Sequence, residues 1–150
     1  MMTTHIVVPG AARAVWWHST VPGAEENSRI TLPDGRLIRL EPWFGPPVVM
    51  VADEFPERDA LSPATTGCAS AVLCPQTSDV DAVWARALDG GASVARPLAE
   101  TFWGEREGQV AGPFGHRWGL SQHVRDVWLE EMSRAAAKVP SGSSTGPRAG

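Results

Sequence analysis

The run Thr101-Phe102-Trp103-Gly104-Glu105-Arg106-Glu107-Gly108-Gln109-Val110-Ala111-Gly112-Pro113-Phe114-Gly115-His116-Arg117-Trp118-Gly119-Leu120 decides the fold. Two apolar segments, one around Phe102 and one at 109–111, flank Glu105-Arg106-Glu107-Gly108. That tetrapeptide reads as a polar turn, because glycine takes a positive φ without steric cost. Gly112-Pro113-Phe114-Gly115 then breaks the chain again, since proline donates nothing to a ladder and glycine permits a sharp bend. A hairpin, a tight corner and a last strand at 117–121 are expected.

Downstream, Asp126 to Ala137 reads as a helix capped by Asp126, with Trp128, Leu129 and Met132 on its apolar side. Residues 138–150 have little to bury and are expected to be disordered. Immediately upstream, Ser93-Val94-Ala95-Arg96 is a strand. Before it Val80, Val83, Trp84, Ala87 and Leu88 fall at i, i+3, i+4, i+7 and i+8, one stripe of a helix. Ser78-Asp79-Val80-Asp81 supplies its capping box and Gly90-Gly91 its end. Ala71-Val72-Leu73-Cys74 is the strand that precedes the helix.

The first half of the chain repeats this order. Ile6-Val7-Val8 is a β-branched strand closed by Pro9-Gly10. Ala11 to Thr20 is a helix with Val15, Trp16 and Trp17 apolar. Strands at 29–32 and 36–40 flank the hairpin turn Pro33-Asp34-Gly35, and Val48 to Ala52 is a further strand. Residues 53–67 are rich in Pro, Asp, Glu, Ser and Thr without a period and read as a linker or lid. The simplest account is an α+β domain over 1–137, built by duplication of a βαβββ unit at about 4–54 and 69–123, followed by the helix 126–137.

Composition sets the outer limits. At 150 residues and 43% hydrophobic the chain is of ordinary domain size and globular composition. A formal charge of −4 with no basic stripe argues against nucleic acid as partner. No apolar run approaches the roughly 20 residues of a membrane span. The N-terminal residues lack a secretory pattern, so a cytoplasmic location is the default. Cys68 and Cys74 stand six apart with no Cys-x-x-Cys pair and are expected to be reduced. The seven Trp beside no Tyr exceed what a core this small needs.

The motifs resemble a known group. Phe-Trp-Gly-Glu-Arg-Glu-Gly followed by Pro-Phe-Gly-His-Arg-Trp is similar to the C-terminal half of the vicinal-oxygen-chelate superfamily (glyoxalase, bleomycin-resistance protein, extradiol dioxygenase). The nearest likeness is its glyoxalase-like or PhnB-like branch. Leu32-Pro33-Asp34-Gly35-Arg36, Gly23-Ala24-Glu25-Glu26, Val48-Val49-Met50 with Ala52-Asp53-Glu54, and Asp79-Val80-Asp81-Ala82 extend the likeness over Ile6 to Met132. It implies two βαβββ modules forming a half-open eight-stranded barrel, usually completed in a homodimer.

Enzymes of that superfamily hold a divalent metal with His, Gln or Glu on strands of both modules. Position by position, His5 matches a ligand, but Cys74 stands where the second module would carry His. Gly119 stands where the last strand would carry a carboxylate, and Arg39 with Glu41 where PhnB-like relatives carry His then Glu. Gly112 replaces an Asp common before Pro-Phe-Gly. An arginine beside a metal ion is repulsive, so His5, Glu41 and Cys74 are the fallback metal ligands of the alternative, a metal-dependent lyase, isomerase or dioxygenase.

The expectation is instead a binding protein without metal or other cofactor, holding an aromatic antibiotic or metabolite in a dimer cleft. Alternation puts Arg39, Glu41 and Trp43 on one strand face. With Met50, Phe102, Trp103 and Arg106 they are expected to line an apolar, aromatic cleft with a few orienting charges. Trp16, Trp17, Trp84, Trp118 and Trp128 are expected to pack helices onto the sheets, and His18 to pack in the first helix.

Overall fold

Short β-branched and apolar runs separated by Gly- and Pro-bearing turns fold here into two sheets of the same design. The computed structural model describes residues 4–20, 25–43 and 49–139, without the side chains of 15, 16, 19, 20, 25–27 and 39–43. β1 (Thr4–Val8), α1 (Ala11–Thr20), β2 (Glu25–Thr31), β3 (Leu37–Trp43) and β4 (Val49–Asp53) come first. A 3₁₀ turn at Pro56–Arg58 and the short helix α2 (Pro63–Thr66) follow. Then β5 (Val72–Leu73), α3 (Val80–Asp89), β6 (Ser93–Glu100), β7 (Glu105–Ala111) and β8 (Arg117–His123) repeat the order before α4 (Leu129–Ala136). The sheets run β1-β4-β3-β2 and β5-β8-β7-β6. In each, the first strand pairs parallel with the last and the other pairs are antiparallel. A parallel pair needs a crossover, which each helix with its hairpin provides.

α1 and α3 are each fastened to their sheet by one polar side chain at the end of the sheet's last strand. Asp53 on β4 accepts from the backbone N–H of Ala11 and of Leu37, both at 2.7 Å. Gln122 on β8 accepts from the Val80 N–H at 3.0 Å. The contacts to Ala11 and Val80 each satisfy an N–H that the first turn of a helix leaves without a partner. The duplication is therefore present in the anchoring chemistry as well as in the strand order.

One core joins the two units. Ile6, Val8, Ala14, Trp17, Val51, Val83, Val110, Trp118 and Leu120 are buried in a single cluster. Trp17 of α1 meets Trp118 of β8 with ring centroids 5.6 Å apart, and His18 meets the same indole at 5.2 Å. Trp17 is 2% exposed, and among the described residues its Nε1 has no hydrogen-bond partner. A Cβ on Gly90 would stand 3.0 Å from that nitrogen, so glycine at the end of α3 lets α1 approach.

His18 gives the core a pH dependence. Burial, then repulsion from His116, lowers its pKa from 6.5 to about 4, opposed by the Ala14 carbonyl. Between those values the unfolded chain takes up a proton that the folded chain refuses, so stability is full above pH 6.5 and falls as pH drops toward 4. Equilibrium denaturation is expected to show a loss of about 3 kcal/mol across that window. His18→Phe should flatten the profile; burial lowers the His116 pKa too, so a residual slope should persist.

Several sequence expectations change. β7 begins at Glu105 and the reversal lies at 101–105, closed by the Thr101 N–H on the Glu105 carbonyl at 2.7 Å. Gly104, not Gly108, has the positive φ, +90°. Gly108 sits inside β7, where a Cβ would lie 2.6 Å from the Trp84 ring, so close packing rather than a turn requires it. The residues around Phe102 belong to the turn. Leu32–Arg36 and Gly112–His116 close with the same pair of backbone bonds and likewise carry Gly fourth, Gly35 and Gly115, at φ +87° and +90°.

The expected linker or lid at 53–67 is structured. Arg36 and Arg58 both lie over the Phe55 ring, at 4.4 and 5.4 Å, and α2 presses so closely on Gly115 that a Cβ would come within 2.5 Å of the Ala64 nitrogen. In α3, Leu88 is exposed, so the buried stripe is Val80, Val83 and Ala87. α4 starts three residues later than expected and lacks a side-chain cap; Asp126 faces His123 at 3.0 Å instead. Trp128, expected to pack, is exposed. Of the expected disordered tail, residues 140–150 lie outside the described residues.

Candidate ligand cleft

Successive side chains of β7 point to opposite sides of the sheet. One side meets α3. Arg106 donates from Nε and Nη2 to the two carboxylate oxygens of Asp81 at 3.0 and 2.7 Å. This contact holds the Asp81 carboxyl below its usual range and raises the guanidinium. Gly108 lies under Trp84, and Val110 is in the core. The cleft role expected for Arg106 is thus corrected: its guanidinium is spent on α3.

The other side carries Glu105, Glu107 and Gln109. Arg96 of β6 is ion-paired with Glu107, whose side chain is 15% exposed. Gln76 donates to Glu105 at 3.0 Å. At the end of this face the 101–105 turn presents Phe102 and Trp103, edge to face with centroids 4.8 Å apart. An open depression of about 440 Å³ is lined by this pair together with Arg96, Pro97, Glu100 and Glu107. Apolar ring faces with a few placed charges suit a flat ligand.

The structure therefore brings Phe102 and Trp103 together and adds Arg96, Glu100 and Glu107, which sequence reasoning missed. The signal was available: once the turn is placed at Gly104, period-2 alternation sets Glu107 beside the arginine of the neighbouring strand. Met50 lies on β4 opposite His5, in the other sheet, and does not border this depression. Arg39, Glu41 and Trp43 fall on β3, and their side chains lie outside those described.

The fallback metal donors do not assemble among the described residues. Cys74 and Gly119 do face each other, a Cβ on Gly119 falling 2.9 Å from the Cys74 sulfur. Burial, then the charge of Glu107, pushes the Cys74 thiol up, which keeps it protonated and a weak donor at neutral pH. His5 is exposed and borders a separate hollow of about 280 Å³ with Cys68 and His116. No three His, Cys, Asp or Glu side chains among the described residues converge as a metal requires. Glu41, the third fallback donor, has its side chain outside those described. No helix among the described residues is long and apolar enough to cross a membrane.

Comparison with known proteins places this geometry. Residues 4–120 match the model of the Glyoxalase/Bleomycin resistance protein/Dioxygenase superfamily. The Mycobacterium tuberculosis protein Rv0887c is 35% identical over 144 residues, covering 94% of this chain and 85% of that protein. Among solved structures, TioX from Micromonospora sp. ML1 superposes with a TM-score of 0.62 at 27% identity, over 82% of this chain and 98% of that one. TnmS3, described as an antibiotic binding protein from Streptomyces sp. CB03234, superposes with a TM-score of 0.57 at 23% identity, over 82% and 96%. A family match spanning most of the chain makes this chain a member of the glyoxalase/bleomycin resistance protein/dioxygenase superfamily.

Proposed function

We propose that this protein binds a planar aromatic small molecule, an antibiotic or metabolite, and sequesters it without metal or other cofactor. The observation that carries the reading is the Phe102–Trp103 pair standing at the wall of an open depression. A ligand ring stacked there gains about 0.5–1.5 kcal/mol per aromatic contact beyond area burial. Glu100, Glu107 and Arg96 then fix its orientation. TnmS3, which shares this fold, is described as an antibiotic binding protein, and that supports a binding role here.

The two sheets serve as halves of an open barrel, and a second copy of the chain closes the cleft. β6 is exposed along nearly all its length, which leaves that flank available to a partner. The protein works in the cytoplasm.

The test is a fluorescence titration with planar antibiotics, doxorubicin and proflavine among them. Saturable quenching of tryptophan emission is expected, and Trp103→Ala should weaken binding by about 2 kcal/mol, roughly thirtyfold. Unchanged emission across the panel contradicts the reading. The metal-dependent alternative predicts stoichiometric divalent metal in protein purified without a metal-binding tag, lost on His5→Ala.

A further inference from the structure

The segment after β8 lies directly on the turn that carries the aromatic pair. The backbone N–H groups of Val124 and Arg125 both donate to the Gly104 carbonyl, at 3.0 and 3.1 Å. The approach is so close that a Cβ on Gly104 would fall 2.1 Å from the Arg125 carbonyl oxygen and 2.9 Å from Cγ2 of Val127. Trp103 precedes Gly104 and Trp128 follows Val127, so the contact fixes the chain on each side of it next to the other.

Beyond that contact the chain is unsupported. Trp128 caps α4 with extended backbone (φ −74°, ψ 146°) and no side-chain hydrogen bond. It is 84% exposed, and Leu129 is 77% exposed. No residue of α4 is buried, and among the described residues α4 packs substantially on no other helix or strand. Its ties are local: Arg125 to Glu131 at 3.1 Å and the Met132 N–H to the Trp128 carbonyl at 3.0 Å. Leu129 and Met132 share one helical side with Ala136, while Glu130, Glu131 and Arg134 are charged. Exposed indole and leucyl surface of this size on a charged helix marks a binding surface.

We infer that Trp128, with Leu129, forms a third wall of the Phe102–Trp103 cleft, α4 swinging about Trp128 to cover a planar ligand seated there. This rests on the ligand-binding reading and adds the residue that retains the ligand. The occupant of the exposed face is the aromatic ligand itself, because the 124–127 segment holds that face beside the ligand's cleft. The fixed part is the segment bound to Gly104; the moving part is the helix, which among the described residues has no substantial tertiary packing to break. A wall that closes after the ligand enters slows its escape and leaves its entry unchanged.

The experiment uses the full chain and doxorubicin as probe, with Trp128→Ala, Trp128→Phe and Trp103→Ala. Circular dichroism and melting should be unchanged for the two Trp128 variants, since the side chain is exposed. Stopped-flow fluorescence is expected to show release at least tenfold faster for Trp128→Ala, with the association rate unchanged and most of the effect restored in Trp128→Phe. In protein labelled with 5-fluorotryptophan, the ¹⁹F resonance missing from Trp128→Phe should shift when the probe is added to the wild type. If Trp103→Ala weakens binding roughly thirtyfold while Trp128→Ala releases the probe at the wild-type rate, the inference fails and the binding reading stands. If Trp128→Ala dissociates a dimer without changing probe release, the helix face is a contact between copies and the inference fails. No binding by the wild type removes both.

Discussion

Trp118→Ala is expected to cost about 3–5 kcal/mol, the range for deleting a large buried aromatic side chain. Trp118 lies on β8 yet its indole touches Trp17 and His18 of α1, so it joins the second sheet to the first unit's helix. It also fills the space above Gly112, where a Cβ would stand 3.2 Å from its Nε1. Little around it can collapse into the void, because Trp17 and His18 are themselves held by α1. Thermal melting should fall by about 10 °C or more for a chain of this length. A variant that melts within a degree or two of the wild type contradicts the joined core. Trp128→Ala is the matched control: the same residue type removed from an exposed position should move stability by no more than about 0.5 kcal/mol.

Gly104→Ala is the second large effect. The residue has φ +90°, where an L side chain is strained, and its Cβ would overlap the Arg125 carbonyl oxygen at 2.1 Å. Strain at such a position costs about 1–3 kcal/mol, and the overlap forces the 124–127 segment off the turn. A total of about 2–4 kcal/mol is expected by urea denaturation. Because Phe102 and Trp103 belong to the same turn, affinity for a planar ligand should fall in the fraction that stays folded. Gly35→Ala is the comparison: it has nearly the same φ, +87°, with nothing within 4 Å of its Cβ. It should cost about 1 kcal/mol. Equal losses at the two positions would show that backbone strain, not contact with the 124–127 segment, sets the penalty.

Much of the architecture is readable from local chemistry. Pro33-Asp34-Gly35 and Gly112-Pro113-Phe114-Gly115 mark turns because proline and glycine restrict backbone geometry whatever surrounds them. The α3 stripe is readable because three of its five apolar positions are buried at helical spacing. What misleads is glycine whose reason is tertiary. Gly108 looks like a turn residue in sequence but is selected by the Trp84 ring above it, and Gly104 by the Arg125 carbonyl. Neither neighbour is close in the chain.

The cleft is half legible for the same reason. Phe102 and Trp103 stand out as surplus aromatic residues beside a turn. Placing the turn four residues late, at 105–108, however, assigns Arg106 to the cleft and leaves Glu107 in a solvated turn, and the sheet reverses both. Trp128 stands out by size, and the sequence periodicity that suggests it packs in a helix cannot say that none of the described residues covers that helix. That Gly119 offers no side-chain donor is legible without the fold, since a residue type that cannot coordinate needs none to be recognised.

The central claim is that the cleft holds a planar ligand by stacking and leaves it unchanged. The direct measurement is a doxorubicin titration of protein dialysed against a chelator, with mass spectrometry of the recovered ligand. Saturable quenching that Trp103→Ala weakens roughly thirtyfold is expected, unaffected by restoring divalent metal, with the ligand mass unaltered. Binding that appears when metal is returned, or a recovered ligand of different mass, contradicts it.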